Sequence, residues 1–590
     1  MSELRSLLPY FRPYRGGVAL GLVCAGLANV LQIAAPYLTK LVIDGLSDPG
    51  VTGGRILGLG ALLIGAAVVG GFFRFAMRQL LNGISRRIET DLRNDFFRHL
   101  MRLDAAFYGT TRTGDLMSRA TNDTSAVRQA AGPAVMYLVN TAVTFVFAIG
   151  MMLWISPRLT LLGMIPMVSL PPFVLAFGRI IHRRYEQIQE QFADLSTFVQ
   201  ENLSGVRIVR AYTREREEMK RFDVYNDDYR ARNMGLVRTS GAFHPLMSLL
   251  SGLAMVLVLG LGSLEVMAGS ITLGDFVAFS MYLTMLVWPM IALGWVVNLF
   301  QRGGASMGRL NTILSAQPAV VAPSAPTTLT DVRGEVEFRA VSFRYPGTER
   351  TVLEDVSFVV RAGETVAIVG PTGSGKSTIV ALLARLYDPT SGVITLDGTP
   401  LSRMEPGELR AHIGVVPQDP FLFSDTIERN IGLGLSASTD DDPAASDALR
   451  GAAQVAQLHE QILEFPDQYT TMLGERGINL SGGQKQRATL ARALARNPAV
   501  LVLDDALSAV DTHTEAAILG DLRGAVRGTT SFIISHRVSA VMHADEILVL
   551  EGGRIVQRGK HAQLIAADGT YARLLRRQLL EEGLETAAVG

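Results

Sequence analysis

The sequence predicts two unlike halves: an all-α bundle of six membrane-spanning helices, followed by an α/β domain. Three observations predict this. Hydrophobic residues make up 48% of the 590 and charged residues only 19%, a balance too apolar for a wholly soluble chain. Six stretches ahead of Arg302 lack Asp, Glu, Lys and Arg over lengths suited to a bilayer. From Gly334 onward the text changes to short apolar strands alternating with helices, the pattern of a soluble α/β domain.

Length and composition set outer bounds. A chain of 590 residues implies several domains. Net charge is zero, so bulk charge gives no case for a nucleic-acid partner. The single cysteine, Cys24, lies in an apolar run, which excludes an internal disulfide and reads as a small buried hydrophobe.

The uncharged stretches are Gly16–Thr39, Ile56–Phe73, Gln129–Pro157, Leu159–Gly178, Thr239–Leu264 and Phe276–Gln301. The second is short, and its helix is expected to continue past Arg74. The third and fourth are parted only by Ser156-Pro157-Arg158, a tight turn. Residues 1–15 place Leu4, Leu7, Leu8 and Phe11 at helical spacing among Glu3, Arg5, Arg12 and Arg15. They read as an amphipathic elbow helix on the membrane surface, with an ordinary soluble helix as the plainer alternative.

Charge orients the bundle. Arg74–Arg128 and Arg179–Arg238 are crowded with arginine, whereas Glu265–Asp275 carries no basic residue. The positive-inside rule therefore puts both termini and both long connections in the cytoplasm; the expected location is a cell membrane, a bacterial inner membrane. These connections keep a helical period: Ile84, Ile88, Leu92 and Phe96 in one, Phe192, Leu195 and Val199 in the other. Bends are expected near Gly114-Asp115-Leu116 and Ser204-Gly205-Val206. The expected division is an elbow at 1–15, a transmembrane domain at 16–316, a Pro-rich linker at 317–333, an α/β domain at 334–580 and a disordered tail at 581–590. Leu435–Ser446 reads as a surface loop.

The α/β half is organised around Gly370-Pro371-Thr372-Gly373-Ser374-Gly375-Lys376-Ser377-Thr378. An apolar strand, Thr365–Val369, precedes it, and Ile379–Leu383 continues as helix. Strand, Gly-rich loop and helix form the context that makes G-x-x-x-x-G-K-[ST] a phosphate site, not a glycine turn with a solvated lysine. Backbone amides form an anion nest, and the helix N-terminus adds its dipole. Lys376 is placed to reach phosphates, and the Ser377 hydroxyl to complete a Mg²⁺ shell. This makes the half an α/β P-loop nucleotide-binding domain. Val500–Asp504 is an apolar strand ending in a carboxylate, the expected partner that polarises Mg²⁺.

Leu480-Ser481-Gly482-Gly483-Gln484 opens a helix over Lys485–Ala495. The Ser481 hydroxyl and the Gly482 and Gly483 amides then sit at a helix N-terminus, a geometry suited to a phosphate. One nucleotide cannot meet both this motif and its own P-loop in a compact domain. The motif implies a second nucleotide domain facing this one. A helix-capping serine before two glycines fits locally but leaves Gln484, Gln486 and Arg487 unaccounted for.

On these motifs the chain resembles an ATP-binding cassette exporter half-transporter over nearly its whole length. The resemblance implies a six-helix exporter-type membrane domain and hydrolysis of ATP with Mg²⁺. Further roles come from it alone. Tyr345 would stack on adenine. Gln418 would sense Mg²⁺ and the membrane domain. His536 would contact the terminal phosphate. Gly474–Gly477 would touch the coupling helices, and Ser508-Ala509-Val510-Asp511 would cross to the opposite site. Thr121–Thr124 and Gly205–Glu215 resemble the coupling-helix regions. Where active members carry Glu as general base, this chain has Asp505, one methylene shorter. With the signature motif intact, that resembles the degenerate-site subunit of a heterodimer; the runner-up is a homodimer with two slow sites. The implied function is ATP-driven export of amphipathic, multidrug-type compounds. Lipid flipping, import, or an ATP-gated channel on the same fold remain alternatives. The six spans exclude a soluble cassette ATPase of chromosome maintenance or translation. Candidate cavity residues are Arg74, Arg78, Asn140, Trp288, Trp295 and Asn298, although the two arginines fit equally as side chains reaching the cytoplasmic interface.

Overall fold

The computed structural model describes residues 2–46, 52–329, 331–435, 443–525, 528–535 and 537–577. The chain divides into two compact units. One is built on Met1–Met101 and Thr113–Ala316, the other on Arg102–Arg112 and Gln317–Gly590.

Among the described residues, six helices of the first unit are long and apolar enough to cross a membrane: α1 (Glu3–Leu46), α2 (Gly53–Leu100), α4 (Thr113–Ile155), α5 (Pro157–Ser204), α7 (Glu215–Met267) and α8 (Leu273–Leu314). Two short helices intervene, α3 (Ala105–Thr110) and α6 (Val206–Ala211). The second span does continue past Arg74, as one helix of 48 residues. Ser156 turns the chain between α4 and α5: its hydroxyl accepts the Leu159 amide at 3.2 Å, capping α5.

The first fifteen residues are built of short helical turns. They run as 3₁₀ and α turns directly into the first span. Leu7 is buried, and Asn311 of α8 donates to the Glu3 carboxylate at 3.0 Å. Part of the apolar face expected to meet lipid thus meets α8, while Leu8 stays exposed.

At the far end of α8, Gly274 sits so close to α1 that a Cβ there would lie 2.6 Å from the Lys40 carbonyl oxygen. The Asp44 carboxylate accepts the Gly274 amide at 2.9 Å and the Thr272 hydroxyl at 3.0 Å, and Lys40 pairs with Asp275 at 2.6 Å. Within α4, two π turns, Arg119–Asp123 and Ala130–Ala134, interrupt the regular ladder. Pro133, which lacks an amide hydrogen, lies in the second. The first presents buried Asp123 to Arg309 of α8, whose Nε donates at 3.0 Å.

The second unit carries two sheets. The smaller, in order β2-β1-β4-β5, comprises β1 (Val336–Arg344), β2 (Thr351–Val360), β4 (Ser391–Leu396) and β5 (Thr399–Pro400). The larger runs β10-β9-β3-β8-β7-β6, from β3 (Thr365–Val369), β6 (Ile413–Val416), β7 (Val500–Asp504), β8 (Thr530–Ile534), β9 (Glu546–Glu551) and β10 (Arg554–Gly559). Strands β9, β3, β8, β7 and β6 pair in parallel. That arrangement explains the unbroken apolar text of β3 and β7: both faces of a parallel sheet are covered. It also brings the ends of β3, β7 and β8 to one edge, where ligands bind in open α/β sheets.

The bends fall partly elsewhere than the glycines suggest. Helix α5 ends at Ser204 and α6 begins at Val206, as expected. The first connection breaks instead on either side of α3, and Gly114–Leu116 lie inside the first turns of α4. Thr121–Thr124, read as a coupling region, lie within α4 in the first unit, whereas Arg102–Arg112 group with the nucleotide unit. There Asp104 caps α3 through the Phe107 amide at 3.2 Å, and its other oxygen accepts the amides of Ala319 and of Val320. The loop expected over Leu435–Ser446 is shorter, because a helix already runs over Pro443–Val455. Residues 436–442 and the tail Glu581–Gly590 lie outside the described residues.

Candidate functional site

Strand β3 is buried from Val366 onward and delivers the chain to the loop at Gly370. Here glycine is required twice over. Gly375 has φ +105°, and a Cβ there would meet a Leu353 methyl at 2.7 Å. Gly370 has φ +157°, and its Cβ would lie 2.1 Å from the Leu550 carbonyl oxygen. A helix, α9 (Lys376–Leu383), then starts directly from Gly375.

The loop is supplied with donors. Lys376 is buried, and its Nζ donates to the carbonyls of Gly370 at 2.8 Å and Pro371 at 2.9 Å. Burial lowers its pKa, while Asp504 and Asp505 act to raise it. The Ser374 hydroxyl is buried with no hydrogen-bond partner among the described residues. A buried orphan hydroxyl and a desolvated ammonium at a helix N-terminus call for an anion.

A cavity of about 330 Å³ brings together Thr372, Gly373, Gly375, Lys376, Ser377 and Thr378 with Gln418, Asp504 and Asp505. Gln418 arrives just beyond β6, and Asp504 ends β7. Asp505 has φ +50°, and its amide donates to the Ile534 carbonyl at 2.8 Å. Arg350 and Val352 also line the cavity. Sequence reasoning missed both; the only signal for Arg350 was a basic residue just before β2. Gly370 and Ser374 shape the loop from behind the lining. Tyr345 stands beside it, its hydroxyl 3.1 Å from the Thr378 hydroxyl, its ring edge-on to Phe343 and Tyr387. His536 lies outside the described residues.

The second motif sits apart. No residue of Ser481–Gln484 lines this cavity. Ser481 caps α10 (Gly482–Ala495): its hydroxyl accepts the Gln484 amide at 3.2 Å, and Gln484 Oε1 accepts the Ser481 amide at 2.9 Å. This reciprocal capping box accounts for Gln484, which sequence reasoning had left without a local role. The next two residues are likewise explained. Gln486 donates to the Ser508 hydroxyl at 2.8 Å and accepts the Ala509 amide at 2.9 Å, and Arg487 donates to the Gln461 side chain at 2.8 Å. A Cβ on Gly483 would lie 2.9 Å from the Ala509 carbonyl oxygen. The motif and the Ser508–Asp511 loop are therefore packed as one body.

The proposed cavity residues of the membrane unit are scattered in their contacts. Arg74 and Arg78 are exposed, and Arg74 bonds the Gln32 side chain. Trp295 meets Tyr137 edge-on at 4.8 Å, and Trp288 is exposed. Asn140 is half-buried and Asn298 exposed. Unforeseen is buried Asn29, whose side-chain oxygen accepts the Thr144 hydroxyl at 3.2 Å between α1 and α4. Its signal was an amide inside an uncharged span.

Comparison with known proteins agrees with this geometry. Residues 18–290 match the family described as ABC transporter transmembrane region, and residues 353–508 match that described as ABC transporter. The chain is 39% identical to the Multidrug resistance-like ATP-binding protein MdlA of Escherichia coli, over 98% of this chain and 96% of that one. It is 34% identical to an ATP-dependent lipid A-core flippase of Nitrosococcus oceani, over 98% and 96% of the two chains. Its fold is similar to that of a bacterial Atm1-family ABC exporter with ATP bound, with a TM-score of 0.76, 28% identity and coverage of 96% and 98%. The side-chain oxygens of Ser377, Gln418, Asp504 and Asp505, all lining this cavity, are of the type that suits an ATP-bound Mg²⁺. The chain therefore belongs to the ATP-binding cassette transporters, as a multi-pass membrane exporter with fused transmembrane and nucleotide-binding domains that couples hydrolysis of ATP with Mg²⁺ to transport.

Proposed function

We propose that the chain is one half of a heterodimeric exporter that moves amphipathic small molecules of multidrug or lipid-like type out across the bacterial inner membrane by alternating access. The observation that carries this is the separation of two phosphate-suited sites within one unit: the P-loop cavity, and the Ser481–Gly483 helix N-terminus outside it. A facing subunit would bring its own P-loop to Ser481. Relatives that match end to end carry the same single pair of domains, and among them are a protein named multidrug resistance-like and one named a lipid flippase. The arginine-rich connections put both termini on the cytoplasmic side.

The lining of the cavity supports the following roles. Lys376, Thr372, Gly373, Ser374, Gly375 and Thr378 bind the phosphates, with Gly370 and Gly482 shaping the two loops. Tyr345 bounds the adenine. Ser377, Gln418 and Asp504 supply oxygens to Mg²⁺, which neutralises phosphate charge when bound. Asp505 holds the attacking water, and His536 has the switch role that the family pattern implies. The case for unequal sites rests on Asp505. Its side chain is one methylene short, and the hydrogen bond from its amide to the Ile534 carbonyl keeps the backbone from advancing to compensate. A retreat of ~1 Å costs on the order of a hundredfold.

A homodimer with two slow sites is the second reading, favoured if the chain alone is active. An ATP-gated channel is the third. The test is uptake of a fluorescent amphiphile into inside-out vesicles holding this chain with a partner half-transporter. Export requires uptake against a gradient that depends on ATP hydrolysis. Dissipation of a preset gradient on ATP addition would instead indicate a channel.

A further inference from the structure

The Ser508–Asp511 loop is held at two ends. From one side Gln486 of α10 donates to the Ser508 hydroxyl and accepts the Ala509 amide. From the other side Arg537, which follows β8, donates to the Ser508 carbonyl at 2.9 Å and to the Val510 carbonyl at 3.2 Å. The same guanidinium pairs at 2.5 Å with Glu515, a buried carboxylate of α11 (Thr512–Ala525). The Arg537 amide in turn donates to the Ser535 hydroxyl at 3.0 Å, tying it to the end of β8. That strand end is part of the nucleotide site, for Ile534 lines the cavity and takes the Asp505 amide.

We infer that Arg537 is a positioning residue that sets the register of the signature motif against this chain's own ATP cavity. A continuous path joins the two: Asp505 bonds Ile534 at the cavity, the chain passes to Ser535, which accepts the Arg537 amide, and Arg537 then holds Ser508–Val510, which Gln486 ties to the helix that Ser481 caps. The inference rests on the reading that Ser481 acts on the nucleotide of a facing subunit. Given that, a shift of β8 at one ATP site moves the motif that completes the other. Arginine is needed because a planar fork can hold two carbonyls and a carboxylate at once, whereas a lysine ammonium cannot span them. The carboxylate of Glu515 orients the fork and leaves the carbonyls to bind the loop. Arg537 touches no reacting atom. Its loss disturbs the phase between the sites and leaves the P-loop intact.

The test uses the full chain, in lipid, in the dimer in which it hydrolyses ATP. Photolabelling with an azido-ATP reports affinity at this chain's own site, and steady-state hydrolysis reports kcat and the Hill coefficient for ATP. Arg537→Lys is expected to leave own-site affinity within about twofold while kcat falls about tenfold or more. The Hill coefficient is expected to fall to about one. Gln486→Ala, which releases the loop's other end, is expected to do the same, and the double variant to be no worse than the poorer single one. Wild-type kcat and cooperativity in Arg537→Lys would overturn the inference, as would an equal loss of affinity and kcat, or multiplicative losses in the double variant. Should Arg537→Ala not fold, Arg537→Lys and Gln486→Ala still decide. Ser481→Arg tests the underlying reading separately: undiminished hydrolysis there would remove the facing-subunit model before Arg537 is considered.

Discussion

The Asp505 amide donates to the Ile534 carbonyl at 2.8 Å, with Asp505 in the left-handed region at φ +50°. The bond ties the Asp505 backbone to the end of β8, so in the proposed role the reach of its carboxylate is set by the side chain. Asp505→Glu adds the missing methylene without disturbing that bond. Own-site turnover is expected to rise on the order of tenfold to a hundredfold. Single-turnover hydrolysis of nucleotide bound at Lys376 checks it; an unchanged rate would mean side-chain length does not limit this site.

Lys376 is buried, and its folded pKa is lowered from 10.5 mainly by that burial. The folded chain thus binds this proton less tightly than the unfolded chain does. The resulting cost is full at neutral pH and shrinks as pH climbs through the folded pKa toward 10.5. Lys376→Met removes the charge. Without ligand, the variant is expected to unfold no earlier than wild type near pH 7, with any gain narrowing at high pH. With ATP at a hundred times the wild-type Kd, wild type gains about 2.7 kcal/mol and the variant almost nothing. Thermal unfolding across pH, with and without ATP, measures both.

Asp104 caps α3 and holds the amides of Ala319 and Val320. Asp104→Ala leaves three donors without their acceptor. Loss of the cap alone costs the helix about 0.5–2 kcal/mol. ATP binding is expected to persist while substrate-stimulated hydrolysis falls, because the P-loop is untouched and Arg102–Arg112 is the part of the first long connection that groups with the nucleotide unit. Binding and stimulated ATPase, measured together, separate this from general unfolding. Exposed Tyr212, just past α6, is expected to show the same division when changed to Ala.

Gly274 faces the Lys40 carbonyl with no space for a side chain. Gly274→Ala is expected to destabilise the membrane unit by about 1–3 kcal/mol by forcing α1 and α8 apart. The melting temperature in detergent reads this, and an unchanged value would show the contact to be slack.

The chemistry of the P-loop and of β7 was legible because glycine placement and unbroken apolar strands leave few alternatives. Gly370 and Gly375 are dictated by φ and by close neighbours, and such constraints write themselves into sequence. The break in the first long connection was not legible from glycines. Gly114 sits in an ordinary first helical turn, while the break before α3 is made by an aspartate cap, Asp104, in a stretch without glycine or proline. Asp-Ala-Ala-Phe was the available signal. At residues 1–15 an amphipathic pattern alone does not say which apolar side chains meet lipid and which, like Leu7, are buried in the protein. Arg537 could not be found from sequence at all, since its partners Ser508, Val510 and Glu515 are brought to it only by the β7–β8 pairing.

The central claim is that this chain's own ATP site is slow and that its signature motif serves a faster site on a different subunit. Steady-state ATPase of the chain with its partner half-transporter, in lipid at saturating ATP, tests it most directly through two variants. Asp505→Ala is expected to change the rate only modestly, and Ser481→Arg to nearly abolish it. Silencing by Asp505→Ala with full activity in Ser481→Arg would contradict the account, and a fully active dimer of the chain alone would replace the heterodimer with a homodimer.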